Sequence, residues 1–217
     1  MTLAIFDLDN TLLRGDSDHA WGEFLVSKDV VDGDTYRTAN DRYYAQYVAG
    51  TLDIHEFLAF SLKPLARHDR ATLDAWHREF MDARVRPMIT PAARALVESH
   101  RAREHTLLIV TATNRFVTAP IAAEFGIPHL IATEPEERDG RYTGRVAGVP
   151  SYRDGKVTRL ETWLAANDET LADSWFYSDS HNDLPLLNLV DHPVAVNPDA
   201  QLRAEAQRRG WRILQLD

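Results

Sequence analysis

Two acidic segments, far apart in the chain, each follow a run of apolar residues. Asp7 and Asp9 come directly after Leu3–Phe6, and Asp179 and Asp183 follow a second apolar run nearer the other end. Because successive side chains of a strand point to opposite faces, Asp7 and Asp9 share a face and reach one point. A divalent cation removes the repulsion between such carboxylates, and Mg2+ typically binds one or two of them together with phosphate oxygens. The pairing predicts a magnesium-assisted phosphoryl-transfer site.

A calcium-binding loop of the EF-hand type is the main alternative for an aspartate-rich segment. Its ligand pattern needs Asp or Asn at the fifth position and Gly at the sixth. This chain has Thr11 and Leu12 at those positions. The segment therefore does not match an EF-hand loop.

Two further segments carry groups that suit a phosphate. The segment TATN, residues 111–114, follows an apolar run, and its hydroxyl and backbone N–H groups are suited to hold phosphate oxygens at a helix entry. A plain helix N-cap is the alternative for this segment. Lys156 lies in DGK, residues 154–156, at the start of an amphipathic helix. An isolated lysine there would be a solvated surface residue, so a functional role for Lys156 is indicated only together with the other segments.

Taken in order, the segments DLDNT, VTATN, DGK and SDSHND resemble the motifs of the haloacid dehalogenase superfamily of phosphohydrolases. The resemblance extends from Thr2 to about Val196. It is nearest to the subfamily, called IB, that includes phosphoserine phosphatases and the related histidinol-phosphate phosphatases. It implies an α/β fold with a Rossmann-like parallel sheet, helices on both faces, and an inserted all-helical cap of the C1 type.

The resemblance also implies a role for each site residue. Asp7 is expected to attack phosphorus and become an aspartyl phosphate, and Asp9 to act as general acid and base. Their pKa values should then be pushed apart by the metal and by unequal burial. The expected phosphate-binding residues are Thr111, Ala112, Lys156 and Asn182. The expected ligands of a Mg2+ cofactor are Asp7, Asp9, Asp179 and Asp183.

The elements that position these segments are read from the alternation of apolar strands and amphipathic helices, which is typical of a parallel sheet covered on both faces. All four motifs are expected just after strand ends, where open parallel sheets bind ligands. Thr90-Pro91 predicts a helix start. Asp139-Gly140 predicts a hairpin turn. The predicted strands are Leu3–Leu8, Thr106–Val110, His129–Ala132, Ser174–Ser178 and Pro193–Val196.

From about Gly15 to Arg86 the pattern changes to consecutive helices with aromatic residues at helical spacing. We predict residues 15–86 to be the helical cap and residues 1–14 and 87–217 to be the catalytic core. The aromatic residues are expected to form the cap's own core, and the cap to close over the site and choose the substrate. Asp16 and Asp18, at the cap entrance, are the candidate substrate-binding residues, with helix capping by Asp16 as the alternative.

Two departures from the phosphoserine phosphatase pattern bear on the substrate. That family places a glutamate for the substrate amine where this chain has Asp16, and a Ser-Gly-Gly segment where it has TATN. We therefore predict a Mg2+-dependent phosphomonoester hydrolase for a small polar metabolite, with histidinol phosphate as the first choice. A phosphoserine phosphatase, a phosphotransferase using the same aspartyl phosphate, a response-regulator receiver and a non-catalytic binding protein remain alternatives.

The composition agrees with such an enzyme. A chain of 217 residues suits one core with a modest insertion, and a formal net charge of -9 argues against a nucleic-acid partner. The absence of cysteine excludes disulfides and thiol chemistry. No cleavable signal is found, and no run approaches the ~18 apolar residues of a membrane span. We expect a cytoplasmic protein with a small-molecule substrate and no membrane partner, whose oligomeric state the sequence leaves open.

Overall fold

The protein is built on one seven-stranded sheet in a computed structural model that describes residues 2–216. The strands are β1 Leu3–Phe6, β2 Thr106–Asn114, β3 His129–Arg138, β4 Arg141–Ala147, β5 Trp175–Ser178, β6 His192–Val196 and β7 Arg212–Leu214. Their order is β4-β3-β2-β1-β5-β6-β7, and every neighbouring pair is parallel except β3 with β4. The outermost positions of the predicted core ranges, residues 1 and 217, lie outside the described residues.

All five predicted strands are present, with different limits. Strand β1 ends at Phe6 instead of Leu8, and β2 continues through Asn114 beyond the predicted Val110. The predicted turn at Asp139 and Gly140 joins β3 to β4, and its φ angles of 50° and 75° are both positive, as a type I′ turn requires. The sequence analysis missed β7, because its three residues are partly exposed and too few to show a periodic pattern.

Eleven α-helices surround the sheet within residues 2–216. They are α1 Ser17–Ser27, α2 Gly33–Ala49, α3 Ile54–Ser61, α4 Lys63–Arg67, α5 Arg70–Phe80, α6 Arg86–Met88, α7 Pro91–Arg101, α8 Arg115–Glu124, α9 Asp154–Asn167, α10 Leu184–Leu187 and α11 Ala200–Arg209. A π-helical turn links α5 to α6, and a 3-10 turn, His181–Asp183, precedes α10. Helices α1 to α7 lie between β1 and β2, and we call residues 17–88, which hold α1 to α6, the helical insertion. No helix in the described range is both long and apolar enough to cross a membrane.

The helix ends follow the capping residues expected from the sequence. Asp16, Asp53 and Asp69 are N-caps whose carboxylates accept backbone N–H groups of the first turn. Thr90 caps α7 in the same way, ahead of a proline at the first helical position. Gly50 ends α2 in the left-handed conformation, with φ of 69°.

The two faces of the sheet carry separate hydrophobic clusters, because neighbouring strand residues alternate between them. Phe6 and Ile109 belong to a cluster with residues of α7 and α8. Ile5 and Leu108 belong to a second cluster with residues of α9, α10 and α11. Helices thus cover both faces of a mostly parallel sheet, which confirms the predicted fold class.

The base of the helical insertion shares the first of these clusters with the sheet. Trp21 of α1 and Phe80 of α5 lie with their ring centroids 5.2 Å apart, and Trp21 also contacts Phe116 of α8 at 5.5 Å. His77 of α5 is buried there and lies 2.9 Å from the Val117 carbonyl through Nε2. Apolar packing therefore joins α1 and α5 to the sheet side of the molecule.

Candidate active site

Asp7 lies one residue beyond β1 and is only 3% exposed. Its backbone N–H donates to the Tyr177 carbonyl at 2.9 Å, which extends the pairing of β1 with β5 past the strand end. Its Oδ1 accepts from Lys156 Nζ at 2.7 Å, and its Oδ2 lies 3.3 Å from Thr11 Oγ1. The carboxylate is therefore held in one orientation at the carboxyl edge of the central strand.

Lys156 is buried in the first turn of α9, where its ammonium bridges Asp7 and Asp183 at 2.7 and 2.8 Å. Burial lowers the lysine pKa, but the two carboxylates outweigh this and raise it, so the ammonium stays charged. A Cβ at Gly155 would overlap the Pro150 carbonyl oxygen, so the first turn of α9 requires glycine directly before Lys156. Lys156 thus reaches the site from a helix after the β3–β4 hairpin, and the prediction that its motif directly follows a strand end was wrong.

Asp179 follows β5 and shares a hydroxyl partner with Asp7. Thr11 Oγ1 lies 3.1 Å from Asp179 Oδ1 and accepts the Asp179 backbone N–H at 3.1 Å. The single proton of this hydroxyl serves one of the two carboxylates at a time, so Thr11 leaves one of them without that donor. Asp183 has different partners, since the Ser178 hydroxyl donates to it at 2.7 Å beside Lys156.

Asp9 is held from the other side of the site. Its Oδ1 accepts the Ser17 backbone N–H at 2.6 Å, at the start of α1, and its Oδ2 accepts the Thr113 hydroxyl at 2.8 Å. The sequence analysis did not assign a role to Thr113. The signal was available, because a second hydroxyl residue follows Thr111 at a two-residue spacing and falls on the same side of a strand.

Burial raises the pKa of Asp7 and of Asp9, each to about 7. Repulsion from Asp183 adds to the effect at Asp7 while Lys156 opposes it, and Asp16 adds to it at Asp9 while hydrogen bonds oppose it. The expected difference in burial between Asp7 and Asp9 is not found, since they are 3% and 9% exposed. Burial therefore does not separate the pKa values of Asp7 and Asp9. Burial and the nearby carboxylates of Asp7 and Asp183 also raise the pKa of Asp179 well above its ordinary value.

Within the described residues, no three of the predicted metal ligands bring donor atoms within 4.8 Å of one another. Three acidic or imidazole donor atoms lie within 4.8 Å of one another at His19, Glu23 and Asp41, outside the predicted set. In that group His19 Nε2 and Asp41 Oδ1 already pair at 2.7 Å and both side chains are partly exposed. Asp7 and Asp179 are instead brought to a common neighbour, the Thr11 hydroxyl, as described above.

The predicted phosphate-binding residues separate into two groups. Thr111 and Ala112 line the same cavity as Asp7, and the Thr111 hydroxyl accepts the Thr113 backbone N–H at 3.2 Å. Lys156 contacts Asp7 directly, as above. The Asn182 side chain is engaged elsewhere, and the structure does not bring it into the cavity lining.

The cavity above Asp7 is closed by the helical insertion. Asp16 lines it but also caps α1, accepting the His19 backbone N–H at 2.8 Å, so the capping alternative is confirmed. Asp18 lines it, and its carboxylate has no hydrogen-bond or ion-pair partner among residues 2–216. Burial, with repulsion from Asp16 and Asp9, raises the pKa of Asp18 well above its ordinary value. The other lining residues of the insertion are His19, Asn40, Tyr43, Tyr44, Tyr47, Leu52, Ile54 and Phe57.

The tyrosines of α2 show where the prediction for the aromatic residues was incomplete. Tyr43 is buried and packs with Phe57 and Phe60, as an internal core residue would. Tyr44 and Tyr47 are partly buried and line the cavity. A spacing of three to four residues indicates a shared helix face, but it does not indicate that the face meets a site on another element.

The comparisons with known proteins agree with this geometry. A family model described as haloacid dehalogenase-like hydrolase matches residues 4–188. A histidinol-phosphatase from Neisseria meningitidis serogroup C (strain 8013) is 50% identical over 216 residues, covering 98% of this chain and 97% of that protein.

Two solved structures share the fold. A protein with unknown function from Bordetella pertussis Tohama I has a TM-score of 0.94 and 48% identity, and the match covers 100% of each chain. A phospho-aspartyl intermediate analogue of phosphoserine phosphatase has a TM-score of 0.72 and covers 100% of this chain and 93% of the other. At 16% identity, the second likeness shows the fold alone. This chain belongs to the haloacid dehalogenase-like hydrolases, and within them it is a phosphatase.

Proposed function

We propose that this phosphatase is a Mg2+-dependent hydrolase of a small, amine-bearing phosphomonoester, with L-histidinol phosphate as the first candidate substrate. The proposal rests on the cavity above Asp7, whose two sides carry different kinds of side chain. Asp7 is held by Lys156 on one side of the cavity, and on the other the Asp18 carboxylate, beside aromatic rings, has no partner among the residues that the structure describes. The 50% identity to a protein described as a histidinol-phosphatase supports the choice of substrate.

Mg2+ fits the donor set at Asp7 and Asp179. Four buried or partly buried carboxylates share the site with one buried ammonium, and burial together with repulsion among the carboxylates raises the pKa values of Asp7 and Asp179, which a cation would relieve. When bound, Mg2+ supplies positive charge that neutralises phosphoryl oxygens. Asp9 and Asp183 remain predicted ligands, although protein donors already bind both carboxylates.

Asp7 is the proposed nucleophile. One carboxylate oxygen attacks phosphorus as the bond from phosphorus to the ester oxygen breaks, which gives an aspartyl phosphate and an alcohol. Lys156 neutralises charge on the phosphoryl oxygens, and Thr111 with the backbone N–H groups beside it holds them. Because these groups are already buried and oriented, little reorganisation accompanies the reaction.

Asp9 is the proposed general acid and base. A pKa near 7 allows its carboxyl to carry a proton to the departing ester oxygen at neutral pH. The resulting carboxylate then takes a proton from the water that attacks the aspartyl phosphate, which releases inorganic phosphate and restores Asp7. The hydrogen bonds from Ser17 and Thr113 fix the direction of the carboxyl during both transfers.

Residues 15–86, which include most of the helical insertion, are the proposed cap of the C1 type, and residues 1–14 and 87–217 are the proposed core. The tyrosines of the cap lie over Asp7 and limit the access of water to the reacting phosphoryl group. Asp18 provides the charge that a substrate ammonium requires, and the surrounding rings provide flat apolar contacts for an imidazole ring. Asp16 contributes negative charge nearby while it caps α1.

Phosphate release from a panel of phosphomonoesters tests this function. The panel contains L-histidinol phosphate, L-phosphoserine, a sugar phosphate and a nucleoside monophosphate, each with Mg2+ and with chelator. We expect L-histidinol phosphate to exceed the others by ~100-fold or more in kcat/KM, about 2.7 kcal/mol of transition-state discrimination, and chelator to stop the reaction. Preference for L-phosphoserine would assign the alternative substrate.

Asp7→Asn is the blank for this panel. The amide oxygen still accepts from Lys156, so circular dichroism should be unchanged while turnover falls by ~10^4-fold or more. Turnover close to that of the parent enzyme would remove the nucleophile assignment. Transfer of phosphate to an added alcohol, measured by product analysis, would indicate a phosphotransferase instead of a hydrolase.

A further inference from the structure

The C-terminal end of α2 contacts two loops of the sheet side through polar groups. Asn182 Nδ2 donates to the Tyr47 carbonyl at 3.0 Å, and Arg153 Nη2 donates to the Gly50 carbonyl at 2.5 Å. The last carbonyls of a helix lack partners within the helix and carry partial negative charge. A guanidinium and an amide N–H are therefore well matched to this end of α2.

Arg153 is held in a backbone conformation that residues with a side chain rarely adopt. Its φ and ψ are 50° and -120°, immediately before α9. Such a conformation persists only where the surroundings determine it, and it is concentrated at functional sites. The side chain supplies those surroundings, because Nε donates to Asn182 Oδ1 at 3.0 Å and the guanidinium lies 5.2 Å from the Tyr152 ring centroid.

The approach of α2 to these loops is also close on the side of the 3-10 turn. A Cβ added at Gly50 would lie 2.5 Å from His181 Nε2 and 3.0 Å from Arg153 Nη2. His181 is itself held, because its Nδ1 and its backbone N–H both contact Asp199 Oδ2, at 2.7 and 2.8 Å. The end of α2 therefore lies between two loops, at Arg153 and at His181, whose side chains are held by hydrogen bonds.

The two loops that contact the end of α2 also lead into Lys156 and Asp183, which are charged groups of the site. The Lys156 backbone N–H donates to the Arg153 carbonyl at 3.0 Å, in the turn that places the lysine against Asp7. Asn182 directly precedes Asp183, which binds the same lysine. Arg153 itself does not line the cavity, so it does not reach a substrate from its present position.

We propose that Arg153 is a positioning residue, whose guanidinium ties the end of α2 to the loops of Lys156 and Asp183 and thereby holds Tyr44 and Tyr47 over the site. This inference rests on the proposed function of the cavity. On this proposal the backbone at Arg153 is strained because its side chain binds two acceptors at once, Asn182 Oδ1 and the Gly50 carbonyl.

Arg153→Gly tests the proposal, since glycine accepts the backbone conformation and removes the guanidinium. We expect backbone amides of residues 44–51 to exchange hydrogen at least tenfold faster in the substrate-free protein, with no change in α1. We expect KM to rise about tenfold while kcat changes less than threefold. Arg153→Lys keeps one positive charge but cannot bridge both acceptors, so it should restore part of each effect.

Gly50→Ala disturbs the same end of α2, because the added methyl group meets His181 and Arg153 and because alanine does not favour the left-handed backbone at this position. It should increase exchange in residues 44–51 as Arg153→Gly does. Exposed Arg145→Gly is the matched control and should leave exchange and KM unchanged. The hydrogen-exchange measurement needs no turnover, so it stands even where the proposed substrate fails.

Two results would overturn the proposal. Unchanged exchange in α2 with unchanged KM would mean that Arg153 positions nothing. A raised KM with unchanged exchange in α2 would mean that Arg153 acts on the substrate directly.

Discussion

The two walls of the cavity are built from different chemistry. On the sheet side, Asp7 and Lys156 are buried, charged and bound to each other. On the insertion side, tyrosines and apolar side chains surround one carboxylate, Asp18, that has no partner among the described residues. The first wall is complete before a substrate binds, and the second leaves a charge to be matched. Under the proposed function, the residues of the sheet side carry out the reaction and those of the insertion select the molecule that undergoes it.

The supporting structure differs in the same sense. The residues of the first wall follow central strands, or start a helix packed against them, and their backbones are held by neighbours on both sides. The second wall is carried by helices that connect through short loops and reach the sheet side by apolar packing at α1 and by polar contacts at the end of α2. Changes to the first wall should therefore affect every substrate, and changes to the second should affect some substrates only.

Lys156→Met is the strongest test of the first wall. The substitution leaves Asp7 and Asp183 without their shared cation and removes one charge that stabilises the transition state. We expect kcat/KM to fall by about 10^2- to 10^3-fold, equally for every phosphomonoester. Steady-state kinetics at saturating Mg2+ measures this, with circular dichroism to verify the fold. Lys28→Met, at an exposed lysine paired with Glu79, is the control and should have no effect. A selective loss for one substrate would contradict the division between the walls.

Asp18→Asn is the corresponding test of the second wall. The amide keeps the shape of the side chain but removes the charge that a substrate ammonium requires. We expect kcat/KM for an amine-bearing ester to fall by about 10- to 100-fold and that for a neutral ester to stay within threefold.

Asp16→Asn is its matched comparison. Asparagine caps a helix about as well as aspartate, so this change should leave thermal stability nearly unchanged, and we expect selectivity for an amine-bearing ester to change less than in Asp18→Asn. If the Asp16 variant loses selectivity and the Asp18 variant does not, the two aspartates have the opposite roles.

A smaller effect should arise at a buried pair beneath both walls. His100 Nε2 lies 2.7 Å from the Tyr177 hydroxyl and Nδ1 lies 2.8 Å from His105 Nδ1. Burial, with the neighbouring His105 and Arg103, lowers the pKa of His100 from 6.5 to about 4. Between these values the unfolded chain binds more protons than the folded one. This contribution to stability is therefore complete above pH 6.5 and is lost as the pH falls towards 4.

The variant His100→Phe isolates this contribution from the acids of the site. Between pH 7 and pH 4, the parent protein should lose about 1 to 3 kcal/mol more of its free energy of unfolding than the variant does. Urea unfolding at a series of pH values measures the difference. Equal pH dependence in the two proteins would mean that His100 does not titrate in this range. Substrate selectivity at pH 7 should be the same in both.

The sequence allowed the sheet and the charged wall to be predicted because their signals are local. An apolar run followed by Asp7 indicates a strand end, Thr90-Pro91 a helix start, and Asp139-Gly140 a turn, and each depends on adjacent residues. The Asp7 to Lys156 contact spans 149 positions, and it was expected only because the motifs together resemble a known family.

The contacts of the insertion had no such signal. Arg153 reaches the Gly50 carbonyl across 103 positions, and backbone acceptors leave no trace in residue type. Asn182 was expected at the phosphate, yet its amide is engaged with Tyr47 and Arg153. The expected separation of the pKa values of Asp7 and Asp9 also does not follow from burial, since both side chains are buried. How deeply a residue is buried depends on which helices cover it, and the spacing of residues along a strand does not predict those helices.

The packing of Trp21 and His77 against Phe116 limits which segments of this enzyme can be exchanged with those of a relative. A chimera that exchanged only residues 15–86 with those of a relative would bring foreign rings to the α8 face, where Phe116 and the Val117 carbonyl are fitted to Trp21 and His77. Mismatched rings at a filled interface leave voids or overlaps. The smallest transferable unit is therefore the insertion together with the face of α8 on which it rests.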